Sequence, residues 1–288
     1  MHRVPLAVVC ACVMATVVPS AQQAAPPASA PDKPVVAVIG TGTLAGTLGP
    51  AIGRAGYRVV YGSRDPVRDS VRALVARSGP NAAAVTPRDA TAAAAIVVLA
   101  VPRNVLDEVS DGLGTLDGKI VIDVSGGQKR VAADGYLELV PGPSGSERLQ
   151  SRHATARVVR VNLPLMAYFV DPLLVGTPPT ILIAGNDPRA RESVARLIFD
   201  LGLDPWDAGP LRFAQVFDAI NTMALVPAQQ GRNEGYELRL MPSAPLSCFA
   251  DMSQLFGFGR PGELENVRPF PRRAPPIPCE EWRRRLGW

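Results

Sequence analysis

Short apolar runs alternate with amphipathic stretches through most of the chain. The apolar runs are rich in Val, Ile and Leu and predict buried strands at residues 35–39, 57–61, 96–101, 119–124, 157–161, 180–184 and 203–206. Helical spacing predicts helices at 43–55, 66–77, 187–201 and 210–226, with further helices opening at Thr86 and Pro102. This alternation predicts an α/β fold with a doubly wound, mostly parallel sheet and helices on both faces, then a short helical segment.

The two ends of the chain have a different composition. Residues 1–21 combine a basic start, an apolar run and small residues near Ala21, which is typical of a signal peptide. Residues 22–34, rich in Ala, Pro, Ser and Gln, predict a disordered linker; 35–240 form the predicted folded domain, and 241–288 a Pro- and Arg-rich, mostly irregular tail. We therefore expect a periplasmic or secreted protein, or a cytoplasmic one if the start codon is misassigned.

Charge and cysteine content narrow the functional classes. The net charge of +4 comes with only 6% aromatic residues, and no basic run is interleaved with aromatics, so nucleic acid is not an expected partner. The apolar run in the signal is too short to span a bilayer, and no later run reaches the roughly 20 residues of a transmembrane helix. Cys248 and Cys279 could form one disulfide or remain thiols, and no Cys/His cluster has metal-binding spacing.

A glycine motif follows the first predicted strand. In VAVIGTGTLAG, Gly40, Gly42 and Ala45 fit GxGxxG/A between a strand and a helix, which is the context of a dinucleotide-binding, Rossmann-like turn. Gly40 would permit the tight turn and Gly42 the approach of the pyrophosphate. Ala45 or Gly46 would allow close packing of helix on strand, and the helix N-terminus would offer free N–H groups.

The end of the second strand selects the dinucleotide. An acidic residue is expected there for NAD, but the strand ends Gly62-Ser63-Arg64. Ser63 and Arg64 can bind a 2′-phosphate by hydrogen bonds and charge, which favours NADP(H). Asp65 is interpreted as a cap of the following helix, and Arg68 either assists the phosphate or faces solvent.

Two later strand ends should reach the same crevice, because ligands of open α/β sheets bind beyond the carboxyl ends of the strands. Ala100, Val101 and Pro102 end one strand, and Ser125 follows another, where it could contact the nicotinamide ribose or satisfy its own turn. His153, the single histidine after the predicted signal, is expected at the surface. No catalytic residue is assigned, since hydride transfer depends more on positioning than on an acid or base.

A family resemblance rests on the strings VAVIGTGTLAGTLGPAIGRAGYRVVYGSR, VVLAVPRNVLDEV, GKIVIDVSGG, TILIAGNDPRARESV and LGLDPWDAGPL. They resemble the NADP-dependent coenzyme F420 oxidoreductases and the oxidoreductase domain of STEAP-type metalloreductases. The resemblance implies NADP(H) as cofactor and a flavin or coenzyme F420 as hydride acceptor. By position it implies phosphate-loop contacts from Thr41, Gly42, Thr43 and Leu44, 2′-phosphate contacts from Ser63 and Arg64, strand-end contacts from Val101 and Pro102, and a nicotinamide-facing segment Asn162-Leu163-Pro164.

Two departures from the family pattern keep other functions open. Gly126-Gly127 replace the Asn-Pro that commonly follows the family's Asp-Val-Ser, and Val161-Asn162 stand where F420 reductases carry a histidine. One alternative is a pyrroline-5-carboxylate or imine reductase-like enzyme, which would need a purely helical C-terminal domain, against which the apolar run beginning at Thr180 argues. The other is a dinucleotide-binding protein without catalysis. The sequence leaves a homodimer open.

Overall fold

The computed structural model describes residues 33–163, 166–174, 176–232, 239–240 and 279–286. All of them belong to one compact unit, Lys33–Trp288. The strands are β1 Val36–Ile39, β2 Val59–Gly62, β3 Ala83–Val85, β4 Ile96–Leu99, β5 Ile120–Asp123, β6 Lys129–Val131, β7 Leu137–Leu139, β8 Arg157–Val161, β9 Thr180–Gly185 and β10 Asp204–Gly209.

Six helices lie between the strands, and the other three described helices follow β10. They are α1 Thr43–Arg54, α2 Asp69–Arg77, α3 Pro87–Ala93, α4 Leu106–Asp111, α5 Gly145–Arg152, α6 Pro188–Asp200, α7 Ala214–Met223, α8 Val226–Gln229 and α9 Cys279–Leu286. Short 3₁₀ turns at Arg103–Val105 and Leu211–Phe213 lead into α4 and α7. The predicted cap of α3 is confirmed, since the Thr86 hydroxyl accepts from the Asp89 N–H.

The main sheet has eight strands in the order β10-β9-β8-β5-β4-β1-β2-β3. Strands β3, β2, β1, β4, β5 and β8 run parallel, whereas β9 pairs antiparallel with β8 and β10 parallel with β9. The predicted α/β class with a mostly parallel, doubly wound sheet is confirmed. The chain order reverses between β1 and β4, which places a crevice at their carboxyl ends.

Apolar side chains cover both faces of the sheet, because helices pack on both. Alternate residues of β1 divide between the faces: Val38 packs with Leu48 of α1, and Ile39 packs in a second cluster with Leu106 of α4. Helices α1, α2 and α6 cover one face, and α3, α4 and α5 cover the other. This double burial explains why the strands are continuous apolar runs instead of alternating patterns.

Several elements differ from the sequence prediction. Strand β3, the β6–β7 hairpin and helix α5 were missed. A signal for α5 exists, since Ser144 and Glu147 form a reciprocal capping box at its start. The helix predicted at residues 66–77 begins only at Asp69, so the prediction that Asp65 caps it is wrong.

The ends of the chain lie largely outside the described residues. The signal at 1–21, most of the linker at 22–34, Cys248 and most of the tail at 241–288 fall there. Lys33, assigned to the linker, is docked: its Nζ donates to the Ala55 carbonyl and to Asp200 Oδ2, each at 2.7 Å, and lies over the Tyr57 ring. Within the tail, residues Cys279–Leu286 form a helix.

Candidate functional site

The candidate site lies at the carboxyl ends of β1, β2, β4, β5 and β8. The β1 and β4 ends are in direct contact, since the Ala100 N–H donates to the Ile39 carbonyl at 3.0 Å. A Cβ on Gly40 would lie 2.5 Å from the Ala100 carbonyl oxygen and 3.4 Å from Val101 Cγ1. Gly40 also has a φ of 114°. Contact and conformation together require glycine at this position.

The loop after β1 leaves the start of α1 open. Gly42 is the N-cap residue, no side chain caps the helix, and its first turn carries no acidic residue. A Cβ on Gly42 would meet no protein atom within 4 Å. Thr41, Thr43 and Leu44 flank this residue, and Gly42 and Thr43 are exposed. The unpaired N–H groups and the positive end of the helix dipole form a site for a phosphate group.

The close packing of α1 on the sheet that was predicted for Ala45 or Gly46 is found at Ala45 only. Ala45 is fully buried against the sheet, whereas a Cβ on Gly46 would meet nothing within 4 Å. The glycine that permits close helix packing is Gly49, where a Cβ would lie 1.8 Å from the Tyr61 hydroxyl. Sequence reasoning missed Gly49 because the motif ends before it.

At the end of β2, the two predicted 2′-phosphate residues lie in different environments. Ser63 is 5% exposed, and its hydroxyl donates to the Asp65 carbonyl at 2.9 Å and accepts from the Asp65 N–H at 3.2 Å. The Arg64 side chain is exposed, and no ion pair or hydrogen bond holds it within the described part of the chain. Arg68 reaches back to Thr41 Oγ1 at 3.5 Å. The Arg68 guanidinium therefore lies beside the glycine loop, and Arg64 follows the end of the neighbouring strand β2.

The β5 end carries a buried polar network centred on Asp123. Its Oδ1 accepts from the N–H and the hydroxyl of Ser125 at 2.8 and 2.6 Å, and its Oδ2 accepts from the Ser146 hydroxyl at 2.6 Å. The Ser125 hydroxyl thus satisfies its own turn. The network joins the β5 end to the start of α5.

The β8 end carries Asn162, which is 7% exposed. Its backbone N–H donates to the Leu182 carbonyl, while its side-chain oxygen is buried without a hydrogen-bond partner among the described residues. This oxygen has the capacity to accept a hydrogen bond from a ligand. Leu163 packs against the core, and Pro164 lies outside the described residues.

Sequence reasoning missed two charged residues that lie near the β8 end. Arg160, 1% exposed, donates from Nη2 to Asp218 Oδ1 at 2.9 Å, and Asp218 is 4% exposed. A Cβ on Gly127 would lie 2.7 Å from Asp218 Cβ, so the packing of Asp218 accounts for glycine at 127. The signal available was an arginine inside the apolar strand Arg157–Val161, which requires a buried partner.

His153, predicted at the surface, is partly buried. Its side chain is only 16% exposed, and its Nε2 lies 3.1 Å from the Ser110 hydroxyl. It packs between α4 and α5, away from the glycine loop.

Within the ranges described, no group of three His, Cys, Asp or Glu side chains could hold a metal ion. No helix among these residues is long and apolar enough to cross a membrane.

Comparison with known proteins identifies relatives of the part that carries this site. Residues 35–127 match the model of a family described as NADP oxidoreductase coenzyme F420-dependent. The metalloreductase STEAP3 of Rattus norvegicus is 27% identical over 208 residues, which cover 68% of this chain and 38% of that protein. The metalloreductase STEAP2 of Homo sapiens is 29% identical over 184 residues, or 64% of this chain and 35% of that protein. The chain spans little more than a third of these curated relatives.

Solved structures show the same fold. A protein from Arthrobacter sp. FB24, provisionally described as an F420-dependent NADP reductase, is 25% identical with a TM-score of 0.62, covering 72% of this chain and all of that one. A reductive aminase from Aspergillus terreus in complex with NADPH is 15% identical with a TM-score of 0.54, covering 69% and 63%. The resemblance stated from the sequence strings is confirmed.

Proposed function

We propose, from the match of residues 35–127 to the F420-dependent NADP oxidoreductase family, that this protein transfers hydride between NADP(H) and a flavin or deazaflavin acceptor. The observation that carries the cofactor assignment is the end of β2. There Arg64 has no ion-pair or hydrogen-bond partner among the described residues, and Ser63 stands at the strand end in place of a carboxylate. A guanidinium group favours a 2′-phosphate, whereas a ribose 2′-hydroxyl would favour a carboxylate acceptor.

The rest of the crevice fits the other parts of the dinucleotide. The open start of α1 at Gly42 and Thr43 would bind the pyrophosphate through its N–H groups. Ala100, Val101 and Pro102 would form the wall beside the nicotinamide ribose, with the Ser125 backbone across from them. The Asn162 amide oxygen, which has no hydrogen-bond partner in the part of the chain that the structure describes, would accept from the nicotinamide carboxamide.

In this reaction the bound dinucleotide supplies or accepts the hydride, and the protein supplies orientation. The buried Asp123 network holds the β5 end, and the Arg160–Asp218 pair holds the β8 end, so both walls of the crevice are rigid. Rigid walls favour a fixed distance between the nicotinamide and an acceptor ring, which is the main requirement for hydride transfer. No proton transfer at a protein side chain is needed for this step.

An imine reductase-like activity is the weaker alternative. An enzyme of that class would need a purely helical C-terminal domain after β8. In this protein strands β9 and β10 follow β8 and extend the sheet. The likeness to the Aspergillus reductive aminase extends to the fold alone. Val161-Asn162 stand where F420 reductases carry a histidine, which supports a hydride acceptor other than coenzyme F420 itself.

The proposal is tested by binding and by turnover. Fluorescence titration should give tighter binding of NADPH than of NADH. NADPH absorbance should then fall in the presence of one member of a panel of flavins, deazaflavins and quinones. Tighter binding of NADH would refute the cofactor assignment. Binding of NADPH without oxidation by any acceptor would instead indicate a dinucleotide-binding protein without catalysis.

A further inference from the structure

A cavity of about 540 Å³ opens beside the proposed cofactor crevice. It lies between the 3₁₀ turn after β4, the segment after β5 and helix α5, and Arg103, Asp107, Gly127, Lys129 and Arg148 line it. Arg103 directly follows Pro102, and Gly127 closely follows Ser125. The cavity therefore borders the end of the crevice where the acceptor would meet the nicotinamide.

The lining of this cavity carries excess positive charge. Arg103, Lys129 and Arg148 contribute three cations and Asp107 one carboxylate, which gives a formal sum of +2. Arg103 Nη1 and Asp107 Oδ1 are 3.7 Å apart, too far for a hydrogen bond. No carboxylate of the described residues lies within 4.0 Å of the Lys129 or Arg148 cationic groups. Arg103 and Asp107 thus offset each other, and Lys129 and Arg148 remain as two cations without a carboxylate partner among the described residues.

The nearest buried carboxylate does not neutralise this charge. Asp218 attracts the Lys129 ammonium but is already paired with Arg160 at 2.9 Å. Burial lowers the pKa of Lys129, an effect that Asp218 opposes and Arg160 adds to. Among the described residues, Lys129 Nζ donates only to the Gly127 carbonyl, at 3.3 Å. An anion entering the cavity would remove this electrostatic cost.

We propose that this cavity binds a phosphate monoester group carried by the hydride acceptor. A phosphate monoester carries about −1.5 to −2 charge at pH 7, which matches the formal sum of the lining, whereas a carboxylate would leave one positive charge uncompensated. Guanidinium groups bind phosphate oxygens in a bidentate manner, and the ammonium adds a point charge. The identification of the ligand as the hydride acceptor rests on the proposed function. The binding of a phosphate group in this cavity is argued from the lining charges alone.

The test compares FMN with riboflavin, which share one ring system and differ by a phosphate group. Flavin fluorescence is titrated with protein saturated with NADP⁺, so that the 2′-phosphate site is occupied. We expect FMN to bind about tenfold or more tightly than riboflavin. Lys129→Gln and Arg148→Gln should each remove most of this preference by weakening FMN alone, with NADP⁺ affinity unchanged. Lys129→Arg should retain it.

Arg130→Gln is the matched control. Arg130 lies on the same strand as Lys129 and carries the same charge, but it pairs with Glu138 and does not line the cavity. Its substitution should leave the FMN preference intact. Equal affinity of the native protein for the two flavins, no binding of either, or equal losses for both in the Lys129 and Arg148 variants would overturn the proposal. If NADP⁺ fails to bind but FMN is still preferred, the phosphate site stands and the proposed cofactor function fails.

Discussion

Arg160 and Asp218 form an ion pair in the protein interior that joins β8 to α7. Arg160 Nη2 donates to Asp218 Oδ1 at 2.9 Å, and Nη1 lies 3.3 Å from the Asp123 carbonyl and 3.4 Å from the Val161 carbonyl. One guanidinium group therefore links the ends of β5 and β8 to α7. These are the strand ends that precede Ser125 and Asn162.

Removing one member of this pair should be strongly destabilising. We expect Asp218→Ala to lower the free energy of unfolding by about 3–5 kcal/mol, because it leaves the Arg160 charge buried without a partner. Urea denaturation of Asp218→Ala and of the control Asp69→Ala would measure it. The Asp69 side chain is 94% exposed, and its loss should change stability by about 0.5 kcal/mol or less. Similar stabilities for the two variants would contradict the structural role of the pair.

Arg64 should determine the choice between NADPH and NADH. If its guanidinium pairs with the 2′-phosphate, Arg64→Ala should weaken NADPH binding by about 1.5–3 kcal/mol and leave NADH binding nearly unchanged. Arg72→Ala is the control, since Arg72 is an exposed arginine of α2 that pairs with Asp69. Fluorescence titration of both dinucleotides would measure the effect. Equal losses for NADPH and NADH would show that Arg64 does not contact the 2′-phosphate.

Substitutions of Gly40 and Gly42 should have different effects, one on stability and the other on dinucleotide binding. Gly42 has a φ of −80°, and a Cβ there meets no protein atom, so Gly42→Val should fold normally and lose dinucleotide binding. Gly40 has a φ of 114° and would clash with the Ala100 carbonyl, so Gly40→Ala should lower the melting temperature itself. Thermal melting and NADPH titration of both variants separate the two effects. Native NADPH affinity in folded Gly42→Val would show that the loop is only structural.

Stability should depend on the ionisation of Asp200. Burial opposes its charge, but hydrogen bonds from Lys33 and Tyr57 outweigh this and lower the pKa of Asp200. A carboxyl group with a lowered folded pKa stabilises the protein above its unfolded pKa, about 3.9, and this contribution is lost as the pH falls through the folded value. We expect Asp200→Asn to reduce stability at pH 7 and to flatten its decline below about pH 4. Urea denaturation at both pH values would measure this, and an unchanged pH dependence would contradict it.

The sequence by itself determined the sheet core and the glycine loop. The apolar runs of β1, β4 and β5 are long enough to identify buried strands, and GxGxxG/A lies where a strand meets a helix, so local pattern and backbone requirements coincide at Gly40 and Gly42. Strand β3 and the β6–β7 hairpin were missed because three-residue strands carry too little periodicity to be recognised.

Only the tertiary structure decided which side chains meet at the strand ends. Arg160 and Asp218 are far apart in the chain, and their pairing follows from the packing of α7 on the sheet, where Phe217 contacts Leu182 and Ala184 of β9. The hydrogen bond from the Ser146 hydroxyl to Asp123, and the gathering of Arg103, Lys129 and Arg148 around one cavity, likewise depend on how distant segments fold together. Periodicity specifies which face of an element is buried, but contacts between distant polar groups are selected by the cost of leaving a buried charge or hydrogen-bonding atom without a partner.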